Sequence, residues 1–144
     1  MTPLEALQAT LAAEHAAVWT FGTLGARTSQ SASPQLYERL RESHLVHRNR
    51  RDQLSREIRD LGDQPAAAAP AYALSNPAVT IDEITSAALA AEAACTASYA
   101  DLVTHTSGAR RAWAVSALTN AAVRKLAFQG SPEIFPGVGE LTDR

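Results

Sequence analysis

An alternation of apolar residues at spacings of four and three is the feature that most constrains the fold of this chain. It is clearest between Pro34 and Leu61, and it is the period of an α-helix with one buried face. Three polar residues interrupt that face at its centre. The face consists of Leu36, Leu40, His44, His47, Arg51, Leu54, Ile58 and Leu61.

Three further segments carry a similar period, so the sequence predicts an all-α protein with four helices. The predicted helices span residues 3–27, 34–61, 80–107 and 109–129. Thr2 and Thr80 are each followed three residues later by a glutamate, which is typical of a capping box at a helix start. A chain of 144 residues has the usual size of one domain, so a single domain over residues 1–144 is predicted.

The connection between the second and third predicted helices is long. After the helix stop at Gly62, residues 63–79 contain Pro65, Pro70 and Pro77 and no regular period. These seventeen residues can span up to about 56 Å, whereas a helix of 27 residues is only about 40 Å long. The segment 62–79 is therefore predicted to cross the full length of a bundle. The apolar tail, residues 130–144, is predicted to cover one end.

Polar residues lie near the midpoint of every predicted helix, and in an antiparallel bundle they would meet in one layer of the core. A buried carboxylate or imidazole must be paired, hydrogen-bonded or bound to a metal. The predicted members of this layer are Glu14, His44, His47, Arg51, Glu92 and Asn120.

Two interpretations of the layer stay open at this point. In the first, Arg51 pairs with Glu14 or Glu92 and supplies the positive charge that a metal would otherwise supply. In the second, two histidines and two carboxylates bind a single Fe, Mn or Zn ion. The candidate ligands are Glu14, His44, His47 and Glu92.

Composition narrows the range of functions. The net charge of -2 gives no electrostatic reason to expect nucleic acid or an anionic membrane as a partner. A secretory signal needs basic residues near its start, but no basic residue precedes Arg27. No apolar run reaches the length of a membrane span, so a cytoplasmic location is expected. Cys95 is the only cysteine, which excludes an internal disulfide and predicts a small buried hydrophobe. Without a phosphate loop or nucleophile elbow, no catalytic residue is assigned and enzymatic activity stays uncertain.

Short motifs in a shared order give the chain a resemblance to a known family. They are Glu14-His15, His47-Arg48-Asn49-Arg50-Arg51-Asp52, Tyr72-Ala73-Leu74, Glu92 and Phe135-Pro136-Gly137. In these residues the chain resembles ferritin-like domains, in particular an uncharacterised branch of small bacterial ferritin-like proteins. The resemblance implies a four-helix bundle with a long crossover between helices two and three. It also implies that Glu14 and Glu92 match the lone glutamates of a di-iron site, and that His47 matches the histidine of a Glu-x-x-His motif.

The sequence departs from the di-iron pattern at two places. His44 stands three residues before His47 where the pattern has a glutamate, and helix four has no Asp, Glu or His between Ala109 and Gly130. The expectation is therefore a non-catalytic scaffold or binding protein without a cofactor, which pairs as a homodimer through Ala-rich helix surfaces. The alternative is a metal-binding redox or hydrolytic protein with a reduced ligand set.

Overall fold

Four α-helices make up most of residues 1–128, the part of the chain that the structure, a computed structural model, describes. The helices are α1 (Pro3–Ala26), α2 (Pro34–Asp60), α3 (Ile81–His105) and α4 (Gly108–Ala127). The described residues contain no strand, so the predicted all-α class is confirmed. The ends of the four helices lie within two residues of the bounds that the sequence pattern predicts. The tail of residues 130–144, with Phe135-Pro136-Gly137, lies outside the described residues.

Local side-chain chemistry sets the helix starts. The Thr2 hydroxyl accepts a hydrogen bond from the Glu5 backbone N–H, and the Glu5 carboxylate accepts one from the Thr2 backbone N–H. Thr80 and Glu83 form the same reciprocal pair at the start of α3. Such caps satisfy backbone donors that have no partner within the helix.

Contacts between the helices define the bundle topology. Glu14 of α1 meets His47 of α2, while Thr10 of α1 meets Ser98 of α3. Along α2 and α3 the paired positions rise together, so these two helices run parallel. The helix α4 runs antiparallel to α2, because Glu57 pairs with Arg110 at one end and Arg39 bonds Ala127 at the other. The order is up, down, down, up.

The parallel arrangement of α2 and α3 requires a connection along the whole bundle. That connection follows α1 from its N-terminal part to its C-terminal end. Gln8 bonds the backbone of Gln64, His15 bonds the carbonyl of Ala66, and Arg27 bonds the carbonyl of Pro77. Trp19 packs against Tyr72 between these points. The long crossover predicted from the sequence is confirmed.

The apolar core lies in two clusters, one on each side of a polar layer. One cluster includes Phe21, Leu24, Leu40 and Ile84, and the other includes Leu7, Leu11, Leu54, Ile58 and Leu102. Glu14 and His47 lie between them along α1 and α2, Glu92 lies among the α3 members of the first cluster, and all three are fully buried. Of the helices within residues 1–128, none is both long enough and apolar enough to cross a membrane.

Candidate functional site: a buried polar network

The centre of the polar layer is His47, whose ring bridges two carboxylates. Its Nδ1 lies 2.6 Å from Glu14 Oε2, and its Nε2 lies 3.1 Å from Glu92 Oε1. A neutral imidazole carries one N–H and could donate to only one carboxylate, whereas the protonated ring donates to both. The geometry therefore favours an imidazolium held between Glu14 and Glu92.

Electrostatics agrees with this protonation state. Burial by itself lowers the pKa of His47, but the neighbouring Cys95 and the carboxylates of Glu14 and Glu92, which accept its hydrogen bonds, outweigh burial, and the pKa lies well above the ordinary histidine value. Burial by itself raises the pKa of Glu92, yet the contact with His47 and the charges of Arg124 and Arg50 hold that pKa below its usual range. The Phe21 ring stacks on the His47 ring with centroids 5.2 Å apart and planes 7° apart, a face that favours a cation.

A second cation reaches the layer from α4. Arg124 Nε lies 3.4 Å from Glu92 Oε1, and Arg124 Nη2 donates to the Ser43 hydroxyl at 2.7 Å. Two carboxylates, Glu14 and Glu92, therefore face two cations, His47 and Arg124. The formal charges balance within this set, which reduces the cost of burying each one.

Tyr99 and Arg50 extend the network toward α4. The Tyr99 hydroxyl donates a short hydrogen bond to Glu14 Oε1 and accepts one from Arg50 Nη1 at 3.0 Å. Arg50 also donates to Asn120 Oδ1 at 2.8 Å and lies over the Tyr99 ring, 4.9 Å from its centroid. Burial, together with the nearby Glu14 charge, raises the pKa of Tyr99 well above its ordinary value, so it remains a phenol donor.

Glu92 Oε2 is the exception in this network. It is buried, and it accepts no hydrogen bond from any residue within 1–128. An unsatisfied carboxylate oxygen in the core is costly, and among residues 1–128 this is the one buried side-chain oxygen or nitrogen without a hydrogen-bond partner.

The structure brings together Glu14, His47 and Glu92 but separates the other three predicted members from them. His44 is half-buried, makes no hydrogen bond within residues 1–128, and lies beside Gly22, where a Cβ would come within 3.4 Å of His44 Nε2. Burial and then the charges of Arg48, Arg51 and His47 lower the pKa of His44, so the ring is kept neutral outside the network.

The prediction that Arg51 pairs with Glu14 or Glu92 is wrong. Arg51 bonds its neighbour Asp52 instead, with Arg51 Nη2 2.8 Å from Asp52 Oδ1. Asn120 is exposed and touches the network only as an acceptor for Arg50. The inner face of α2 is lined by Ser43, His47 and Arg50. Ser43 and Arg50 each lie one residue before the position predicted from the sequence, His44 and Arg51. The apolar pattern fixes a helix face only to about one residue, because positions i+3 and i+4 both flank it.

The sequence patterns do not predict Tyr99, Arg124 or Arg50 as members of the network. They predict Cys95 only as a small buried hydrophobe. Cys95 is buried and lies with Glu14 and His47 so that donor atoms of all three are within 4.8 Å of one another. The helical spacing of Glu92, Cys95 and Tyr99 contained the signal, since residues three and seven apart share a face.

Comparison with known proteins places the chain in a family. Residues 6–140 match a family described as Domain of unknown function (DUF4439). The chain belongs to the DUF4439 family. A crystal structure of a conserved hypothetical protein, Rv2844, from Mycobacterium tuberculosis is similar to this chain with a TM-score of 0.81 and 25% sequence identity. That match covers 88% of this chain and 94% of the other. No curated protein matches this DUF4439 chain.

Proposed function

We propose that this DUF4439 protein is a non-catalytic, ferritin-like scaffold or binding protein in which a buried ionic network replaces a dimetal centre. The observation that carries the proposal is the pairing of Glu92 with Arg124 while His47 spans Glu14 and Glu92. The cationic side chains of His47 and Arg124 neutralise the carboxylates that a dication would otherwise neutralise. A guanidinium this close to Glu92 would also repel a bound dication.

The donor set does not fit a di-iron centre. Ferritin-like di-iron sites draw carboxylate or histidine ligands from all four helices. Here the inward position of α4 at this level is Arg124, which offers no lone pair to a metal, and His44 is turned away from the layer. No reaction of such a centre is therefore assigned to this chain.

Metal analysis tests this proposal directly. Protein purified without chelator should contain well under one Fe, Mn or Zn per chain, and the content should be unchanged in His47→Ala. In a second arm, Arg124→Glu supplies the missing carboxylate in α4, and added Mn²⁺ should then raise the melting temperature of that variant only. Arg48→Glu makes the same charge change on an exposed part of α2 and is the control. Stoichiometric metal in the wild type, lost in His47→Ala, would contradict the proposal.

A second candidate function rests on the proximity of Cys95 to Glu14 and His47. One thiolate, one imidazole and one or two carboxylates are a plausible set for a single Zn²⁺, and Glu92 Oε2 has a free lone pair nearby. Burial raises the pKa of Cys95, which works against the thiolate that such a site needs. The same metal analysis separates the two candidates, since Cys95→Ala would lower zinc content only under the second.

Assembly as a homodimer in the cytoplasm is part of the proposed scaffold role. Exposed residues form an apolar stripe along α4, with Val115 45%, Val123 62% and Leu126 45% exposed. Such a stripe on a surface helix favours packing against a second copy. Sedimentation velocity over a range of concentrations should show a dimer that Val123→Glu weakens and Ala9→Glu, at an exposed position of α1, does not. A constant monomer mass would contradict this assembly.

A further inference from the structure

A groove between α2 and α4 is the feature that the polar network does not explain. At the end of the bundle where α3 turns into α4, it opens into a cavity of about 360 Å³. Leu7, Leu54 and Leu102 lie beneath it and are at most 1% exposed, so the accessible apolar side chains of its lining are Ala109 and Trp113. A second cavity of about 330 Å³ adjoins the first and shares Gln53 and Trp113 with it. Volumes of this size are typical of small-molecule sites.

The rim of the groove carries an excess of positive charge. Its charged side chains are three arginines and two carboxylates, namely Arg50, Arg56, Arg110, Asp52 and Glu57. Arg110 donates through Nε to Glu57 Oε2 at 3.0 Å. Its two Nη atoms donate to no residue of the described part of the chain, so they are available to an anion. A guanidinium with free terminal nitrogens suits a carboxylate, which it can bind through two hydrogen bonds.

Trp113 lines both cavities and supplies an aromatic side chain to each. Its ring meets the edge of Tyr99 with centroids 6.2 Å apart and an interplanar angle of 88°. Trp113 also packs against both apolar clusters of the core and is partly buried, and within residues 1–128 its indole N–H has no hydrogen-bond acceptor. An apolar chain in the first cavity would contact this indole, because Trp113 lines that cavity.

We propose that the α2–α4 groove binds a small amphipathic carboxylate, with its apolar body against Trp113 and Ala109 and its carboxylate on Arg110. This proposal goes beyond the scaffold role and does not depend on it. The Trp113 indole and Ala109 select an apolar body for the ligand, and the excess of guanidinium groups at the rim selects its charge.

Fluorescence offers a direct test with decanoate as the probe. Trp19 lies on the far side of the bundle against Tyr72, so Trp19→Phe leaves Trp113 as the only tryptophan. In that background, decanoate below its micelle concentration should shift the Trp113 emission saturably, with one molecule bound per chain. Decanol, which has no charge, should bind about tenfold more weakly because it lacks the charge-assisted hydrogen bonds to Arg110.

Matched variants on α4 decide where the probe binds. Arg110→Gln should reduce the affinity for decanoate to that for decanol, while Arg111→Gln, at the exposed neighbouring position, should leave both affinities unchanged. Ala109→Phe fills the mouth of the groove and should abolish the binding of decanoate and of decanol. Ala112→Phe lies on the outer face and should leave the binding of both probes intact. Circular dichroism confirms that each variant is folded.

The proposal would be overturned by the absence of saturable decanoate binding, by binding that survives Ala109→Phe in a folded variant, or by equal affinity for decanoate and decanol. The proposal would also be refuted if Trp113 emission were quenched as the protein concentration rises and decanoate did not reverse that quenching. Such a result would assign the groove to a second copy of the chain. The metal and dimer experiments have separate readouts, so they fail or succeed independently of this one.

Discussion

Arg124 and Arg110 lie on the same helix and each meets a glutamate, but their surroundings differ. Arg124 is 17% exposed and contacts Glu92, which is fully buried. Arg110 is 38% exposed and contacts Glu57, which is 30% exposed. In the buried layer the carboxylates of Glu14 and Glu92 are matched by His47 and Arg124, because an unmatched charge that is fully buried is very costly. In the groove, water screens the charges, so an arginine can keep free donors at little cost.

This difference separates two kinds of role for similar residues. The buried network fixes how α1, α2, α3 and α4 meet at mid-height, and its atoms are largely committed to one another. The groove keeps uncommitted polar atoms next to apolar side chains, which is the combination that ligand sites use. Variants in the two regions should therefore differ in whether they change stability or binding.

The largest expected effect comes from His47→Ala. Removing the ring leaves Glu14 and Glu92 buried without their shared cation, and breaking a buried ion pair in this way costs about 3–5 kcal/mol. Urea unfolding would measure the loss. His44→Ala is the matched control, with a loss below about 1 kcal/mol, because His44 is half-buried and makes no hydrogen bond within residues 1–128. Equal losses would mean that the bridge adds nothing specific.

Tyr99→Phe should have the next largest effect. It removes the hydroxyl that donates to Glu14 Oε1 and leaves that charged oxygen without its donor, at a cost of about 1.5–3 kcal/mol. Tyr72→Phe provides the comparison, since the Tyr72 hydroxyl only accepts from the exposed backbone of Ala69 and its loss should cost less than about 1 kcal/mol. The same unfolding measurement serves both. A small loss for Tyr99→Phe would indicate that Arg50 moves to serve Glu14.

Stability should fall as the pH rises above about 6.5. Because the pKa of His47 is raised in the fold, its protonated ring contributes fully to the stability at pH values below the ordinary histidine pKa. That contribution is lost as the pH rises through the pKa of the folded state. The slope can reach about 1.4 kcal/mol for each pH unit. Glu14, Glu92, Cys95 and Arg124 face this region, and the lowered pKa of Glu92 acts only at acidic pH, where its contribution is lost as the pH falls.

The measurement is the free energy of unfolding in urea between pH 5.5 and pH 9. His47→Gln cannot titrate, so the slope above pH 6.5 should disappear in that variant. A wild type whose stability is flat across this range would show that His47 is neutral in the fold.

The fold could be predicted from the sequence because its signals are local and repeated. Capping residues at Thr2 and Thr80, the glycine stop at Gly62 and the proline-containing segment after it each act within a few residues. The length of that segment then restricts the topology. Together these features fix four helices and a crossover without any knowledge of side-chain contacts.

The candidate site could be predicted only in part, for a geometric reason. The positions that the sequence predicts correctly interrupt an apolar stripe where the apolar residues of the neighbouring turns show which residue faces the core. These positions are Glu14, His47 and Glu92. On α2 the polar stretch offers Ser43 or His44, and Arg50 or Arg51, and a helical period cannot separate adjacent residues. Hydrogen bonds across helices decide between them, as Ser43 accepts from Arg124 and Arg50 donates to Tyr99. Those contacts depend on the docking of α4, which no local pattern encodes.

The smallest expected effect is the coupling between Arg110 and Glu57 in the groove. A double-mutant cycle with Arg110→Gln and Glu57→Gln should give a coupling energy between 0 and about 1 kcal/mol, since both side chains are about a third exposed. High salt should reduce it further. Glu57→Gln should at the same time strengthen decanoate binding, because it removes the carboxylate that competes for Arg110. A large coupling energy with no gain in binding would place Arg110 with the structural charges of the core and remove it from the ligand site.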